Sequence, residues 1–346
     1  MELSCLGVED EREIGSFYGN MVNRDLHYDM DYLKIFARYL DAEPIYACFE
    51  DGQDGLMMPF FKRRVNDHFD LVSPWYYGGP IFSTEDRKRR SGLYRQFRSV
   101  FGRWCLENDI VSEFTRFNSI LDNCFPEVDG PRTKCISMSV VVDLNRDMES
   151  IRADYKPRVG KNIRSARNKG LEVEVSTDTS DFPVFREIYL KTMKDIGADR
   201  YYHFDDRFFQ DLCETFGSEM IIYFIKMDGI RISATIDIGR YGVMYDFLRG
   251  TYREFLKLNP SYLLVDRIIE ETHERGFEYL CLGGGRSSKD DDKLFFFKSA
   301  FSRDHRPFCV FKGIYNQEVY KKLCAERNVR ECRLSEAEFF PEYRMK

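Results

Sequence analysis

The chain has 346 residues and a mass of 41.1 kDa, which at about 150 residues per domain points to two domains. Its 43% hydrophobic and 32% charged residues exclude long disorder, and 52 Lys and Arg against 58 Asp and Glu leave a net charge of −6, which excludes a general DNA-coating protein but allows a local basic patch. The 30 Phe and 21 Tyr predict large, ring-rich cores.

The longest apolar stretches, such as Leu56–Phe61 and Met220–Ile225, are far short of the roughly 20 residues a helix needs to cross a bilayer, so no transmembrane segment is expected. Met1–Cys5 lacks the basic and apolar regions of a signal peptide. The ten Cys form no CxxC pair and no metal spacing with the five His. A reduced, cytoplasmic chain with buried Cys and no metal is expected.

In the first half, Ile45–Glu50 and Leu56–Lys62 read as strands around an Asp51–Gly55 turn. A helix follows from near Ser83, with Asp86 three residues on as a capping box and Leu93, Phe97, Phe101, Trp104 and Cys105 at helical spacing. Val111–Phe117 is the next strand. Ile136–Leu144 alternates as a strand, Met148–Lys169 reads as a polar helix, and Leu171–Val175 as a strand. Asp181–Lys194 and Asp205–Phe216 read as helices.

The second half repeats the grammar. Met220–Lys226 and Arg231–Ile238 flank Asp228-Gly229. Ser261 can cap a helix in which Leu264, Val265, Ile268, Ile269 and Thr272 share a face, with Gly276 past its end and Tyr279–Leu282 as a strand. A helix at Lys293–Phe301, a strand at Phe308–Phe311 and a helix at Gln317–Glu326 complete the chain. The pattern predicts an α/β (α+β) protein with a weak repeat of one β-β-α-β unit. No linker rich in Pro, Gly or Ser parts the halves, so tight packing with a groove between them is expected.

Six places could carry chemistry or charge. Lys156, Arg158, Lys161, Arg164, Arg167 and Lys169 form a basic stripe on a helix, suited to a diphosphate or RNA backbone or to a solvated face. Arg87–Arg90 is a second basic run, read as a solvated face. The Ser73–Pro80 loop sets Trp75, Tyr76 and Tyr77 beside Gly78-Gly79-Pro80, a stiff loop that contacts a ligand or packs its rings on the core.

Three more lie in the second half. Ser233, Thr235 and Asp237 share one strand face. On the next strand Tyr245, Phe247 and Arg249 share a face opposite Met244, Asp246 and Leu248. A carboxylate in such strands must pair, with Arg231, Arg249 or Arg286, or line a wet cavity. Gly283-Gly284-Gly285-Arg286 at a strand end allows close backbone approach and N–H donors to an oxyanion. In Phe295-Phe296-Phe297-Lys298-Ser299-Ala300-Phe301, Lys298 either snorkels or points into a site.

Taken together and in order, these segments resemble the Fem family of non-ribosomal aminoacyl transferases and the related GNAT acyltransferase superfamily. The similarity lies in Arg158–Gly170 with its IRSARNKGLEVEV ending, the Asp228-Gly229 hairpin, Gly250 followed by Pro260, RGFEYLCLGGG, and LFFFKSAFS with its Phe-Lys-x-x-Phe pattern. It covers residues 135–315 well; in the first half it rests on SPWYYGGP.

The resemblance implies two tandem GNAT-like domains, 1–145 and 146–346, with mixed sheets flanked by helices. It implies transfer of an activated aminoacyl or acyl group to an acceptor amine, with aminoacyl-tRNA as the Fem donor and a peptidoglycan precursor as acceptor. No tightly bound cofactor is implied; the donor, tRNA or acyl-CoA or a carrier protein, is a co-substrate. Lys298 takes the catalytic place, with Asp237 or Asp246 as candidate bases. Trp75, Tyr77, Gly78, Tyr245, Arg249, Gly283, Gly284 and Arg286 become substrate contacts, and Arg158, Lys161, Arg164 and Arg167 phosphate contacts. One departure stands out. Simple GNAT enzymes grip the CoA pyrophosphate with a glycine turn before the main helix, and Thr251–Pro260 has no glycine. No heptad run marks the helical arm of some Fem members. An acyl-CoA-dependent enzyme acting on a sugar amine, and a non-catalytic binding protein, are the alternatives.

Overall fold

The computed structural model describes residues 2–286, 291–329, 332–333 and 339–345, so Met1 of the N-terminal stretch lies outside them. The chain divides into unit 1, Met1–Ile136 with Pro307–Lys346, and unit 2, Ser137–Arg306. The C-terminal segment therefore belongs with the first unit, whereas a boundary at 145/146 leaves it with the second.

Unit 1 holds β1 (Glu2–Leu6), α1 (Glu11–Gly19), α2 (Met30–Leu40), β2 (Glu43–Asp51), β3 (Asp54–Val65), β4 (His68–Val72), β5 (Ile81–Phe82), α3 (Arg87–Glu107), β6 (Ile110–Arg116) and α4 (Pro126–Asp129). Strand β7 (Thr133–Asp143) runs into unit 2, which holds α5 (Met148–Ala153), α6 (Pro157–Asn168), β8 (Leu171–Ser176), α7 (Phe182–Asp195), α8 (Asp206–Phe216), β9 (Met220–Met227), β10 (Ile230–Arg240), β11 (Val243–Thr251), α9 (Pro260–Glu274), β12 (Tyr279–Gly283) and α10 (Lys293–Lys298). Strand β13 (Asp304–Ile314) returns to unit 1, which ends with α11 (Gln317–Glu326) and a short turn at Glu342–Arg344. The expected polar helix at Met148–Lys169 is two helices, because Pro157 has no N–H to continue α5 and instead starts α6 at its first position.

In unit 1 the sheet order is β1-β2-β3-β4-β6-β13, antiparallel except for the parallel β4–β6 pair. In unit 2 it is β7-β12-β11-β10-β9-β8, again antiparallel except for one parallel pair, β11–β12. The order and strand sense match place for place, which is the expected internal repeat with a hairpin, a long helix (α3 or α9) and a strand in each copy.

The α3 stripe of Leu93, Phe97, Phe101 and Cys105 is buried against the sheet, and the Phe60 and Phe101 rings stack at 5.3 Å. Its cap is Asp86, whose carboxylate accepts from Arg89 N at 3.0 Å; Ser83, the expected start, instead accepts from Gly55 N at 2.7 Å and ties the β2–β3 turn. The basic run at the helix start is not merely solvated. Arg89 reaches Asp54 at 2.5 Å and Asp51 at 3.2 Å, and Arg90 is buried with its Nε on the Thr84 carbonyl at 2.6 Å. Cys135 and Cys309, both in unit 1 and 174 residues apart, are disulfide-bonded, which corrects the expectation that every Cys is reduced.

In unit 2 the α9 residues Leu264, Val265, Ile268 and Ile269 share a core with Val159 and Ile163 of α6 and Ile221, Tyr223 and Ile225 of β9, so α6 and α9 cover one face of the sheet. Helix α9 starts at Pro260 after Asn259, not at a Ser261 cap. Helix α7 covers the other face. Gly250, paired with Ala234, is required there, because a Cβ would lie 2.8 Å from the Ile188 carbonyl oxygen and the Tyr189 Cα of α7. Among the described residues no helix is long and apolar enough to cross a membrane.

Candidate active site

The parallel β11–β12 pair is short. Its register runs through Val243↔Tyr279 and Met244↔Leu280 to Tyr245↔Cys281 and stops there, although β11 continues to Thr251. The two strands thus part just before Asp246 and Leu282. In the corresponding place of unit 1, the chain beyond β4 rejoins β6: Ser73 N donates to Phe114 O at 2.9 Å and Gly78 N to Arg116 O at 2.8 Å.

A β-bulge decides which side chains meet at this fork. Thr235 pairs with Arg249 and Ile236 with Leu248, but Asp237 pairs with Asp246, so Phe247 is the extra residue. The bulge corrects the expected alternation along β11: Arg249 lies on the same face as Asp246, and its Nη2 donates to Asp246 Oδ1 at 3.0 Å. Of the three expected arginine partners the structure uses Arg249; Arg231 is held by Glu174 and Asp181. Arg286, three residues past the end of β12, is exposed and makes no ion pair with either carboxylate among the described residues.

Lys298, at the end of α10, closes the fork. Its ammonium donates to the Leu282 carbonyl on the β12 side and stands 4.0 Å from Asp246 Oδ2 on the β11 side. Its side chain is only 14% exposed. Burial lowers its pKa, and the Asp246 carboxylate opposes that shift. Asp237 is completely buried, and burial first, then the facing Asp246, push its pKa well above the usual carboxylate range. Thr235, which shares the face, donates to Leu248 O at 2.9 Å. Among the described residues Asp237 Oδ2 and Arg249 Nε are buried without a hydrogen-bond partner. They are two of nine such atoms among the described residues, and the two that face each other's strands at the fork leave polar capacity open there.

Asp292, which the sequence reading did not single out, organises the glycine run. Its carboxylate caps α10 by accepting from Phe295 N at 2.9 Å, and it also accepts from Arg286 N at 2.8 Å. A Cβ on Gly285 would sit 2.5 Å from the Asp292 carboxylate, and Gly283 has a positive φ of 73°. Gly284 passes the Met138 carbonyl closely, with 3.0 Å to a hypothetical Cβ. The run thus lets the chain leaving β12 pass close to Met138 and to the Asp292 carboxylate that caps the helix carrying Lys298. Asp at an N-cap before Lys293-Leu294-Phe295 was the available sequence signal.

The remaining expected contacts fall elsewhere. Trp75, Tyr77 and Gly78 belong to unit 1. Trp75 stacks on Phe36 at 5.3 Å and Tyr32 donates to its carbonyl at 3.0 Å. Gly78 O accepts from Tyr28 at 2.7 Å and from Asn123 at 2.8 Å. Both rings are buried, and Tyr76 between them has a left-handed φ of 67°, which makes this the stiff loop expected. Tyr245 is buried on the opposite side of β11 from Asp246.

The basic stripe on α6 divides. Arg158 stacks over Phe296 at 3.7 Å and donates to its carbonyl, and Arg167 lies 4.0 Å from Asp266. Lys161 and Arg164 are exposed and have no ion pair among the described residues. Between Thr251 and Pro260, Arg253–Leu258 forms a 3-10 helix, and Asn259 uses its side chain on Asn162 at 3.1 Å.

Residues 155–298 match the family model of the acetyltransferase (GNAT) domain, a segment that ends on Lys298. By sequence, no curated protein matches the chain. Among solved structures it is similar to FemX at a TM-score of 0.68 and 11% identity, over 93% of this chain and 99% of that one. The C-terminal domain of a putative lysylphosphatidylglycerol synthetase from Agrobacterium fabrum matches at 0.54 and 15% identity, over 92% and 97%. L-PGS from Bacillus licheniformis matches at 0.54 and 11% identity, over 89% and 93%. At such identities the likeness is one of fold. The resemblance drawn from the sequence holds at that level: the protein has a tandem GNAT-type acyltransferase fold.

Proposed function

We propose that the protein is an N-acyltransferase of the Fem/GNAT type that moves an activated aminoacyl group onto an acceptor amine, with a cell-wall precursor as the acceptor class and the cytoplasm as its place of work. The observation that carries the proposal is the fork between β11 and β12, where Lys298 joins Leu282 O to Asp246 with Arg249 alongside. Burial favours the neutral form of Asp237, and Lys298 and Arg249 supply two donor groups at the place where a carbonyl oxygen turning negative is stabilised.

In the reaction the acceptor nitrogen attacks the donor carbonyl carbon. The C–N bond forms, the C–O bond to the tRNA ribose breaks, and the proton lost by the amine ends on the leaving oxygen. Lys298 and Arg249 stabilise the tetrahedral oxyanion and Asp246 holds Lys298 in place. Asp237, with no exposed surface, sets the local charge rather than meeting substrate. Holding both substrates at one fork supplies the rest of the acceleration by proximity. Gly283, Gly284 and Arg286, on the chain leaving β12, remain the proposed substrate contacts at the fork.

An aminoacyl-tRNA donor is supported by the exposed Lys161 and Arg164 on α6, with Arg158 and Arg167 beside them, and by the glycine-free 3-10 helix before α9. The second reading, an acyl-CoA or carrier-bound donor, draws on the match to the GNAT domain model. Thermal shifts and transfer assays with charged tRNA and with acetyl-CoA separate them, since a donor that binds the folded state raises its stability. Charged tRNA is expected to stabilise the protein and support amide formation. A shift and turnover with acetyl-CoA alone would select the second reading. Binding without turnover with any donor would leave a ligand-binding protein.

A further inference from the structure

In unit 1, past the residues of the fork in the chain, three donor atoms converge. Cys324 lies in the last turn of α11, Cys332 six residues past its end, and Glu342 at the start of the final turn. The Cys324 and Cys332 sulfurs are 3.6 Å apart, and Cys332 Sγ is 3.3 Å from Glu342 Oε2. All three donor atoms lie within 4.8 Å of one another. The cluster is enclosed: Cys324 and Glu342 are buried and Cys332 is partly so.

The two edges that meet at Cys332 match those of a zinc tetrahedron. Zn–S bonds of about 2.3 Å and a Zn–O bond of about 2.0 Å, at tetrahedral angles, set sulfur–sulfur edges of about 3.8 Å and sulfur–oxygen edges of about 3.5 Å. The carboxylate is already aimed. Its Oε1 accepts from Arg333 N at 2.8 Å, and the Glu342 backbone N donates to Tyr320 Oη at 3.0 Å. Outer contacts of this kind fix a ligand's orientation before the ion arrives. The spacing Cys-x7-Cys-x9-Glu fits none of the short metal motifs, so the convergence is visible only in the fold.

We propose that Cys324, Cys332 and Glu342 form a binding site for a thiophilic divalent cation of the zinc class, with the fourth corner left to water or an outside ligand. Two thiolates and a carboxylate favour zinc over magnesium or calcium, which prefer oxygen. Both sulfurs bind such an ion as thiolates, so its uptake releases thiol protons. The ion would clasp α11 to the C-terminal turn within unit 1.

The test uses the full chain, kept reduced and stripped of metal, titrated with Co2+ as the spectroscopic probe and then with Zn2+. One equivalent of Co2+ is expected to give a thiolate-to-cobalt charge-transfer band, which Zn2+ abolishes by displacement. The band is lost in Cys332→Ser, which alters only a partly exposed side chain, strongly reduced in Glu342→Gln, and unchanged in the Cys213→Ser control. Zn2+ is expected to raise the melting temperature of the wild type and not of Cys332→Ser. A folded, reduced wild type that gives no band overturns the proposal. So does a band that survives Cys332→Ser, or a Cys324–Cys332 pair that oxidises to a disulfide and takes no metal once reduced.

Discussion

Asp237 and Asp246 stand directly opposite each other on β10 and β11, held in that register by the bulge at Phe247. Like charges so placed repel, and burial adds to the cost of ionising Asp237, so its folded pKa lies well above the ordinary 3.8. The folded chain therefore keeps a proton that the unfolded chain has released. The stability due to this group is full below the ordinary value and is lost as pH rises through the folded value. Asp237→Asn keeps the neutral shape without that loss. Urea unfolding over a pH series is expected to show the variant gaining on the wild type as pH rises; a difference that stays flat would mean Asp237 is not held protonated.

The pKa of Lys298 shifts the other way, downward from 10.5 through burial. If its ammonium serves the transition state, kcat/KM for transfer falls on an alkaline limb below the ordinary lysine value. Arginine does not titrate in this range. Lys298→Arg is therefore expected to retain partial activity and to lose the limb. A limb at the same pH in Lys298→Arg would assign it to another group.

Asp292 acts through α10. Removing its carboxylate frees both Phe295 N and Arg286 N. Asp292→Ala is expected to cost about 1 kcal/mol of stability and to lower kcat for transfer by letting Lys298 drift from the fork. Asp292→Asn, which retains a capping oxygen, is expected to restore most of both. Denaturant melts and steady-state kinetics on the pair of variants check this; loss of stability with unchanged kcat would confine Asp292 to a capping role.

Lys161 and Arg164 present two cations on α6 that are not spent on ion pairs among the described residues. The double variant Lys161→Glu, Arg164→Glu is expected to weaken charged-tRNA binding and to reduce the slope of log affinity against log salt by about two. Filter binding over a salt series reads both quantities. An unaltered slope would take the phosphate contacts off this helix.

Much of this architecture was legible in the sequence because local signals and tertiary packing agree. The apolar stripes of α3 and α9, the two hairpins and the repeated unit all follow from periodicity and turn chemistry. The helix starts were less legible, since Ser83 and Ser261 are good caps in isolation and lose to Asp86 and to Asn259-Pro260 through contacts made elsewhere. The bulge at Phe247 has no marker in the sequence, yet it alone moves Arg249 to the face of Asp246. The allegiance of the C-terminal segment was hidden for a similar reason: β13 pairs with β6, about two hundred residues earlier in the chain, and no local pattern records that.

The most direct measurement is the transfer rate of Lys298→Ala with charged tRNA and an amine acceptor, beside a melting curve showing that the variant is folded. Loss of a preorganised charge at a developing oxyanion costs about 100-fold or more, and a drop of that size in kcat/KM with the fold intact is the expected result. A folded variant that transfers within about twofold of the wild type, less than 1 kcal/mol, would contradict the placing of this ammonium at the reacting carbonyl.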